Sequence, residues 1–175
     1  MESSELPHSE YYEAVGRGIS AWQQVEAQLT GLFSRLLICA FHGTMMRSSY
    51  EHMWITSNIL NSITNVNTRV DMVGSTFGRL VMDEALSKEW NSIKNKIKEK
   101  YKYRNVLAHW SPYGNEGGIS IIGTPFAARK DDSYPAEQLK QWEDVFKKLA
   151  DRIEKLAIDV NRYLVENPLP EVRRT

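Results

Sequence analysis

The sequence has one cysteine, Cys39, which lies in a largely apolar run that reads LLICAF. A single cysteine cannot form a disulfide within its own chain, and this usage is typical of a reducing compartment. The first 20 residues are acidic and lack an apolar core, so they do not have the pattern of a signal peptide. No uninterrupted apolar run reaches about 18 residues, the length that a membrane-spanning helix needs. The sequence therefore predicts a cytoplasmic protein without a membrane anchor.

The sequence also lacks an excess of either charge, because its 22 basic residues are balanced by 22 acidic ones. This balance excludes a protein that coats nucleic acid through bulk charge, so any affinity for nucleic acid must come from a local patch. The four histidines are not grouped with Cys, Asp or Glu at zinc spacings, and no Walker or Rossmann glycine loop is visible. The sequence therefore predicts neither a metal nor a cofactor.

With 175 residues, of which 42% are hydrophobic and 25% charged, the chain has the composition of an ordinary globular domain. We predict a flexible leader over residues 1–8, one helical domain over residues 9–166 and a flexible tail over residues 167–175. The predicted fold class is all-α, an antiparallel bundle of four to five long helices with a small β-hairpin after the helix that contains the basic stretch described below.

Apolar residues recur at steps of three and four, which is typical of amphipathic helices. The first helix is predicted from Ser9 to near Gly43. Residues 47–82 form one helix or two, because the polar NVN segment at 65–67 leaves both possibilities open. A helix containing the basic stretch described next begins near Leu86 or Ser87, with Ser87 as its N-cap. The last helix begins at Pro135 and ends before Pro168. Expected core positions include Tyr12, Ile19, Trp22, Ile55, Ile59, Trp90, Ile97, Tyr101, Leu139, Trp142 and Phe146.

Residues 110–127 contain the densest glycine cluster of the chain and the β-branched run from Ile119 to Ile122. This pattern predicts a small hairpin with its turn near residues 115–118. Residues 127–134 are predicted to be a polar loop.

The stretch over residues 94–111 reads KNKIKEKYKYRNVLAHWS, and six of the eleven residues from Lys94 to Arg104 are basic. The basic residues fall in two rows of i, i+4 spacing, which form continuous stripes on a helix. Pro112 disfavours further helix and biases the preceding residue toward extended geometry. His109 is therefore predicted to lie in the last helical turn.

The segment RNVLAH, Arg104–His109, resembles the RxxxxH motif of HEPN domains, which are small helical proteins, many of them metal-independent RNases or RNase toxins. The resemblance implies an endoribonuclease that cleaves single-stranded RNA by attack of the ribose 2′-OH, with a toxin, defence or stress role. Histidine titrates near neutrality and suits proton transfer, and arginine offers a fixed charge to phosphate oxygens. The implied catalytic residues are Arg104 and His109, supported by Asn105. The implied RNA-binding residues are Lys96, Lys100, Lys102, Tyr103 and Trp110.

Five residues at 100° each place Arg104 and His109 about 140° apart around the helix axis. One protomer is therefore not expected to complete a site alone. In the family that the motif resembles, two protomers pack their motif helices together, which implies a homodimer here and allows an antitoxin or regulatory protein as a further partner. One toxin variant of that family has a modified tyrosine two positions after the histidine. Ser111 occupies that position in this sequence, so that particular antitoxin arrangement is not expected.

Two alternatives stand beside this interpretation. A second RxxxxH match, Arg47 to His52, lies at a predicted helix beginning rather than a helix end, and no basic stripe precedes it. We take the match at Arg104 as the functional one. In the other alternative, Arg104 is a surface ion-pair partner, His109 bonds a carbonyl at the helix end, and the chain is a non-catalytic dimeric module that binds a nucleotide or a protein.

Overall fold

The computed structural model describes residues 5–41, 49–123 and 133–168, and beside the gap at residues 42–48 it describes side chains only up to Ile38 and from Met53 onward. The described residues form five helices and three short strands. The predicted fold class, an all-α helical bundle with a small hairpin, is confirmed. The helices are α1 (His8–Phe41), α2 (Ser49–Ser62), α3 (Val66–Leu80), α4 (Glu84–His109) and α5 (Gln138–Glu166).

The chain divides into two compact units. The first, which we call the motif unit, comprises Met1–Val25 and Glu99–Lys148, and the second unit comprises Glu26–Lys98 and Leu149–Thr175. The single domain predicted over residues 9–166 stays a prediction. None of the helices in the described part of the chain is long and apolar enough to cross a membrane.

The core of the motif unit is formed by the beginning of α1, the end of α4 and the beginning of α5. Trp22 is buried and makes an edge contact with the buried ring of Phe146, with 5.1 Å between the ring centroids. Leu107 of α4 packs against Gly18 of α1. The apolar periodicity of α5 continues through both units, and its predicted stripe is buried at Leu139, Trp142, Phe146, Leu149, Ile153, Leu156 and Val160.

A three-stranded antiparallel sheet follows α4, in the order β1 (Ser111–Asn115), β2 (Gly118–Gly123) and β3 (Ser133–Pro135). The β1–β2 pair is the predicted hairpin, and its turn lies at residues 116–117 as expected. A bulge between Tyr113 and Gly114 brings the two backbones so close that a Cβ atom on Gly114 would overlap the Gly118 carbonyl oxygen. Glycine is therefore required there. Residues 124–127 of the predicted hairpin lie outside the described residues.

Strand β3 corrects two predictions. Ser133 and Tyr134 belong to a strand rather than a polar loop, and Pro135 ends that strand instead of opening the last helix, which begins at Gln138. Pairing with β2 over Ile121 to Gly123 supplies the backbone hydrogen bonds. Because β3 is an edge strand, a proline without an N–H is tolerated in it.

Residues 5–8 of the predicted leader contact the motif unit, and the flexibility expected for residues 1–8 stays a prediction. The backbone of Leu6 forms two hydrogen bonds with Ile119, of 2.8 and 2.7 Å, and its side chain is buried. The imidazole of His8, the first residue of α1, lies 3.2 Å from the carbonyl oxygen of Asn115. Of the predicted tail, residues 169–175 lie outside the described residues.

Capping side chains mark where two helices of the second unit begin. Residues 63–65 separate α2 from α3, which answers the open question about residues 47–82. Asn65 caps α3 by accepting a hydrogen bond from the Thr68 N–H at 3.2 Å. The predicted cap of α4 at Ser87 is wrong, because Asp83 accepts the Leu86 N–H at 2.8 Å and the helix begins at Glu84.

Some expected core positions are exposed because the buried face is rotated by about one residue. Tyr12 is 62% exposed while the neighbouring Tyr11 is buried. In α2, Ile55 and Ile59 are exposed while Thr56 and Leu60 are buried. Burial of the Thr56 hydroxyl is possible because it lies 2.6 Å from the hydroxyl of Ser34.

Candidate functional site

The candidate site lies at the C-terminal end of α4, inside the motif unit. His109 is the last residue of the helix, and the Trp110 N–H still donates to the Val106 carbonyl oxygen at 3.0 Å. Strand β1 begins at Ser111, so the chain changes from helix to extended geometry within two residues. The predicted position of His109 in the last helical turn is confirmed.

Arg104 is half-buried, and its guanidinium has no carboxylate partner among the described residues. Its Nη1 atom donates a long hydrogen bond of 3.4 Å to Oδ1 of Asn105. Its guanidinium carbon lies 6.0 Å from the ring centroid of Tyr101. By contrast, Arg17 of the same unit donates to Glu143 at 3.0 Å and also pairs with Glu13. The charge of Arg104 is therefore not neutralised by an acidic side chain of this part of the chain.

His109 is exposed, and its imidazole forms no hydrogen bond or ion pair with any residue that the structure describes. The hydrogen bond from His109 to a backbone carbonyl, which the non-catalytic alternative expects, is not observed among the described residues. Asn105 is predicted to support the two motif residues, and its side-chain oxygen accepts a hydrogen bond from Arg104. The ring of His109 is thus accessible to solvent.

The lysines before the motif differ in how far their charges are neutralised. Lys102 is exposed and has no carboxylate partner in the described residues, whereas Lys100 donates to Glu99 at 2.8 Å. The ammonium groups of both lie 5.0 Å from the ring centroid of Tyr103. Lys96 is exposed and belongs to the second unit rather than the motif unit.

The row formed by Lys94 and Lys98 is neutralised within the second unit. Both ammonium groups lie close to Oδ1 of Asp71, at 3.2 and 2.8 Å. A hydrogen bond from Lys98, with a smaller contribution from the hydrogen bond of Lys94, holds the pKa of the Asp71 carboxyl below its usual value. This part of the basic stripe is therefore an ion-pair network at a surface, and only part of the predicted stripe carries unpaired charge.

Four aromatic residues pack beside the end of α4, and we call them the aromatic cluster: Tyr103, Trp110, Tyr134 and Trp142. The ring of Tyr103 stacks on Trp142 with centroids 5.0 Å apart and planes 12° apart. Tyr134 of β3 meets Tyr103 and Trp142 edge-on and lies 5.5 Å from Trp110. The two aromatic residues predicted to bind RNA are therefore held in a packed group, and both are half-buried.

Two features of this site were not predicted, the position of Tyr134 and the ring contact between Tyr101 and Arg104. Tyr134 was assigned to a polar loop, and no local pattern indicates that a three-residue strand carries it into the aromatic cluster. Tyr101 was assigned to the core, although its i, i+3 spacing from Arg104 indicates that the two side chains are neighbours on a helix. That spacing was the available signal for the ring contact with the guanidinium.

The second motif match cannot be compared fully, because Arg47 lies outside the described residues. His52 belongs to the first turn of α2, as expected for a helix beginning. Among the described residues, no group of three or more His, Cys, Asp or Glu side chains is arranged to hold a metal ion.

Comparison of the chain with models of protein families, with curated proteins and with solved structures gives no match in any of the three.

Proposed function

We propose that this protein is a metal-independent endoribonuclease of the HEPN type, which acts on single-stranded RNA through Arg104 and His109. The observation that carries the proposal is the state of these two side chains at the end of α4. The guanidinium has no carboxylate partner, and the imidazole is exposed without a partner, among the residues that the structure describes. A cation and a group that titrates near neutrality are the two components that this chemistry needs.

In the proposed reaction, a base removes the proton of the ribose 2′-OH, and the 2′-oxygen attacks the adjacent phosphorus. The bond from phosphorus to the 5′-oxygen breaks, a proton is delivered to that oxygen, and a 2′,3′-cyclic phosphate remains on the other fragment. His109 serves as a proton-transfer group in this sequence. Arg104 stabilises the additional negative charge that develops on the phosphate oxygens. The Asn105 amide holds the guanidinium, in keeping with the hydrogen bond between them.

Single-stranded RNA is the proposed substrate class because a flexible, unstacked backbone allows the 2′-oxygen to align with the leaving oxygen. Lys102 contributes an unpaired charge for the RNA backbone, and Lys100 and Lys96 add positive charge along the same helix. Trp110 and Tyr103 present half-buried rings that suit stacking of bases. The proposed role is that of a toxin or of a defence or stress RNase in the cytoplasm.

We further propose that the active form is a homodimer. Arg104 and His109 are separated by about 140° around one helix, so two motif copies are needed to place both groups against one phosphate. An antitoxin or regulatory protein is a proposed additional partner.

A second candidate function is favoured by the surface of α2. Met53, Trp54, Ile55 and Ile59 are exposed in the second unit, and Trp54 is 64% exposed. Exposed apolar residues in such number are typical of a surface that binds another protein. A non-catalytic interaction module, which binds a protein or a nucleotide, is therefore the alternative.

The two candidates are separated by cleavage of a labelled single-stranded RNA in excess EDTA. The endoribonuclease proposal expects cleavage by the wild-type protein, a 2′,3′-cyclic phosphate on the product, and loss of activity in Arg104→Ala and His109→Ala. His52→Ala is the matched control, since it removes the histidine of the second motif match and should leave cleavage unchanged. Intact RNA after incubation with correctly folded wild-type protein would contradict the proposal and favour the interaction module.

A further inference from the structure

We infer that Tyr101 is a positioning residue for Arg104, an inference that rests on the proposed function and names a further residue of the same site. The guanidinium carbon of Arg104 lies 6.0 Å from the Tyr101 ring centroid, and the two residues are three apart on α4. A planar guanidinium is attracted to the face of an aromatic ring within about this distance. The ring therefore supplies a surface that restricts where the cation points.

The Tyr101 ring is itself fixed by the core of the motif unit. Trp22 of α1 lies 5.9 Å from it, between ring centroids, and Trp22 in turn contacts Phe146 of α5 at 5.1 Å. Trp22 and Phe146 are both buried. A chain of three rings thus connects the core with the guanidinium, so the ring beneath Arg104 has little freedom to move.

Helix α1 also contacts α4 about one turn after Arg104, at Leu107. Leu107 lies against Gly18, which is four residues before Trp22 on α1. Helix α1 therefore contacts α4 before Arg104, at Tyr101, and after it, at Leu107. Arg104 therefore lies between two positions at which α4 packs on α1.

Restricted motion matters because an arginine side chain loses considerable rotamer freedom when it binds phosphate. A guanidinium that already lies on a ring loses less of that freedom in the transition state. Oδ1 of Asn105 accepts a further hydrogen bond from Nη1 of the same guanidinium, at 3.4 Å. The hydroxyl of Tyr101 forms no hydrogen bond with the described residues, so the ring face rather than the hydroxyl carries the effect.

The test compares Tyr101→Phe, which keeps the ring face, with Tyr101→Leu, which removes it. Steady-state cleavage of single-stranded RNA gives kcat and KM, and thermal unfolding gives Tm. Phe77→Leu in the second unit is the control for lost ring packing, because Phe77 is buried and stacks on Trp90 with centroids 5.7 Å apart. A second measurement follows the Arg104 Nε–H and Cδ–H resonances by NMR, assigned by their absence in Arg104→Lys.

We expect Tyr101→Leu to lower kcat by about tenfold, which corresponds to about 1.4 kcal/mol, with a smaller change in KM. Tyr101→Phe should retain kcat within about twofold, since the cation–π contact remains. Phe77→Leu should lower Tm without lowering kcat. The Arg104 resonances should be shifted upfield by the ring current in the wild type and in Tyr101→Phe, and this shift should disappear in Tyr101→Leu.

The inference is overturned if Tyr101→Leu keeps the wild-type kcat, if Tyr101→Phe loses as much activity as Tyr101→Leu, or if the Arg104 resonances do not respond to removal of the ring. If the wild-type protein cleaves no RNA, the proposed function fails and the NMR comparison alone decides about Tyr101. An upfield shift that depends on the ring then supports the positioning of Arg104, and its absence overturns it.

Discussion

Leu107 of α4 occupies the space in which a side chain on Gly18 of α1 would lie, since a Cβ atom on Gly18 would be 2.9 Å from Cδ1 of Leu107. Leu107 is buried and belongs to the RNVLAH segment. A side chain at position 18 would therefore displace Leu107, which lies in the segment between Arg104 and His109.

This contact predicts opposite effects of alanine at two glycines of the same helix. Gly16→Ala should raise the free energy of unfolding by about 0.5 to 1 kcal/mol, because alanine favours helix and no atom lies within 4 Å of the added Cβ. Gly18→Ala should lower it by about 1 kcal/mol, since overpacking against Leu107 outweighs the gain in helix propensity. Urea unfolding of both variants measures the difference. Equal stabilisation by the two substitutions would show that Leu107 moves away without cost.

The same pair of variants connects packing with function. A displaced Leu107 moves the backbone between the two motif residues, so RNA cleavage should fall in Gly18→Ala and stay unchanged in Gly16→Ala. Cleavage is measured well below the Tm of each variant, which separates displacement of the site from unfolding.

Unequal neutralisation of the lysines predicts unequal effects on RNA binding. Lys102→Ala should weaken binding of a single-stranded RNA and reduce the slope of log K against log salt by about 0.7, because one unpaired charge is removed. Lys98→Ala should change both quantities less, since Asp71 already neutralises that ammonium group. Fluorescence anisotropy over a salt series checks the prediction, with catalytically impaired His109→Ala as the background. A larger loss of affinity in Lys98→Ala would contradict the assignment of the free charge to Lys102.

Features that depend on neighbouring residues along the chain could be predicted from the sequence. Pro112 indicates the end of α4 at His109, and the spacing of three and four along α5 predicts its buried face correctly. The glycine cluster predicts the β1–β2 hairpin and its turn. In each case the signal is backbone preference or hydrophobic periodicity, which operates over a few residues.

Features that depend on distant residues could not be predicted. Strand β3 is three residues long and exists because β2 supplies its hydrogen bonds. Burial of Thr56 in place of Ile55 depends on the hydroxyl of Ser34, which lies 22 positions earlier. At the site, the sequence indicates that Arg104 and Tyr101 are neighbours, but the support of Tyr101 by Trp22 requires the packing of α1 on α4.

The proposed homodimer predicts recovery of activity when two inactive variants are mixed. Arg104→Ala and His109→Ala should each be inactive alone. Exchange of protomers between the two variants produces mixed dimers. If each site takes its arginine from one protomer and its histidine from the other, each mixed dimer has one intact site. Random exchange then gives about a quarter of the wild-type activity, because half of the dimers are mixed and half of their sites are intact. Cleavage is measured after co-refolding, beside each variant refolded alone. Unchanged inactivity of the mixture, with mixed dimers verified by mass, would mean that both residues must come from one protomer.

An ion-pair network in the motif unit predicts how stability depends on pH. Lys147 donates to Glu143 at 2.6 Å and Arg17 donates to the other carboxylate oxygen at 3.0 Å. The hydrogen bond from Lys147, with the charges of Lys147 and Arg17, lowers the pKa of the Glu143 carboxyl below its usual value. A lowered pKa in the folded state means that the contribution to stability is present above the ordinary glutamate pKa and is lost as pH falls through the folded-state pKa.

Glu143→Gln should therefore lower the free energy of unfolding at pH 7 by about 0.5 to 1 kcal/mol, a small value because Arg17 and Lys147 are roughly half exposed and solvent screens the pairs. The difference from the wild type should diminish as the pH falls below the ordinary glutamate pKa. Glu154→Gln on the exposed side of α5 is the matched control, since Glu154 has no ion-pair partner among the described residues. This substitution should change the free energy of unfolding by no more than about 0.5 kcal/mol at every pH. Urea unfolding from pH 3 to pH 7 measures all three proteins. A difference between Glu143→Gln and the wild type that remains constant down to pH 3 would mean that the loss arises from packing of the side chain rather than from its charge.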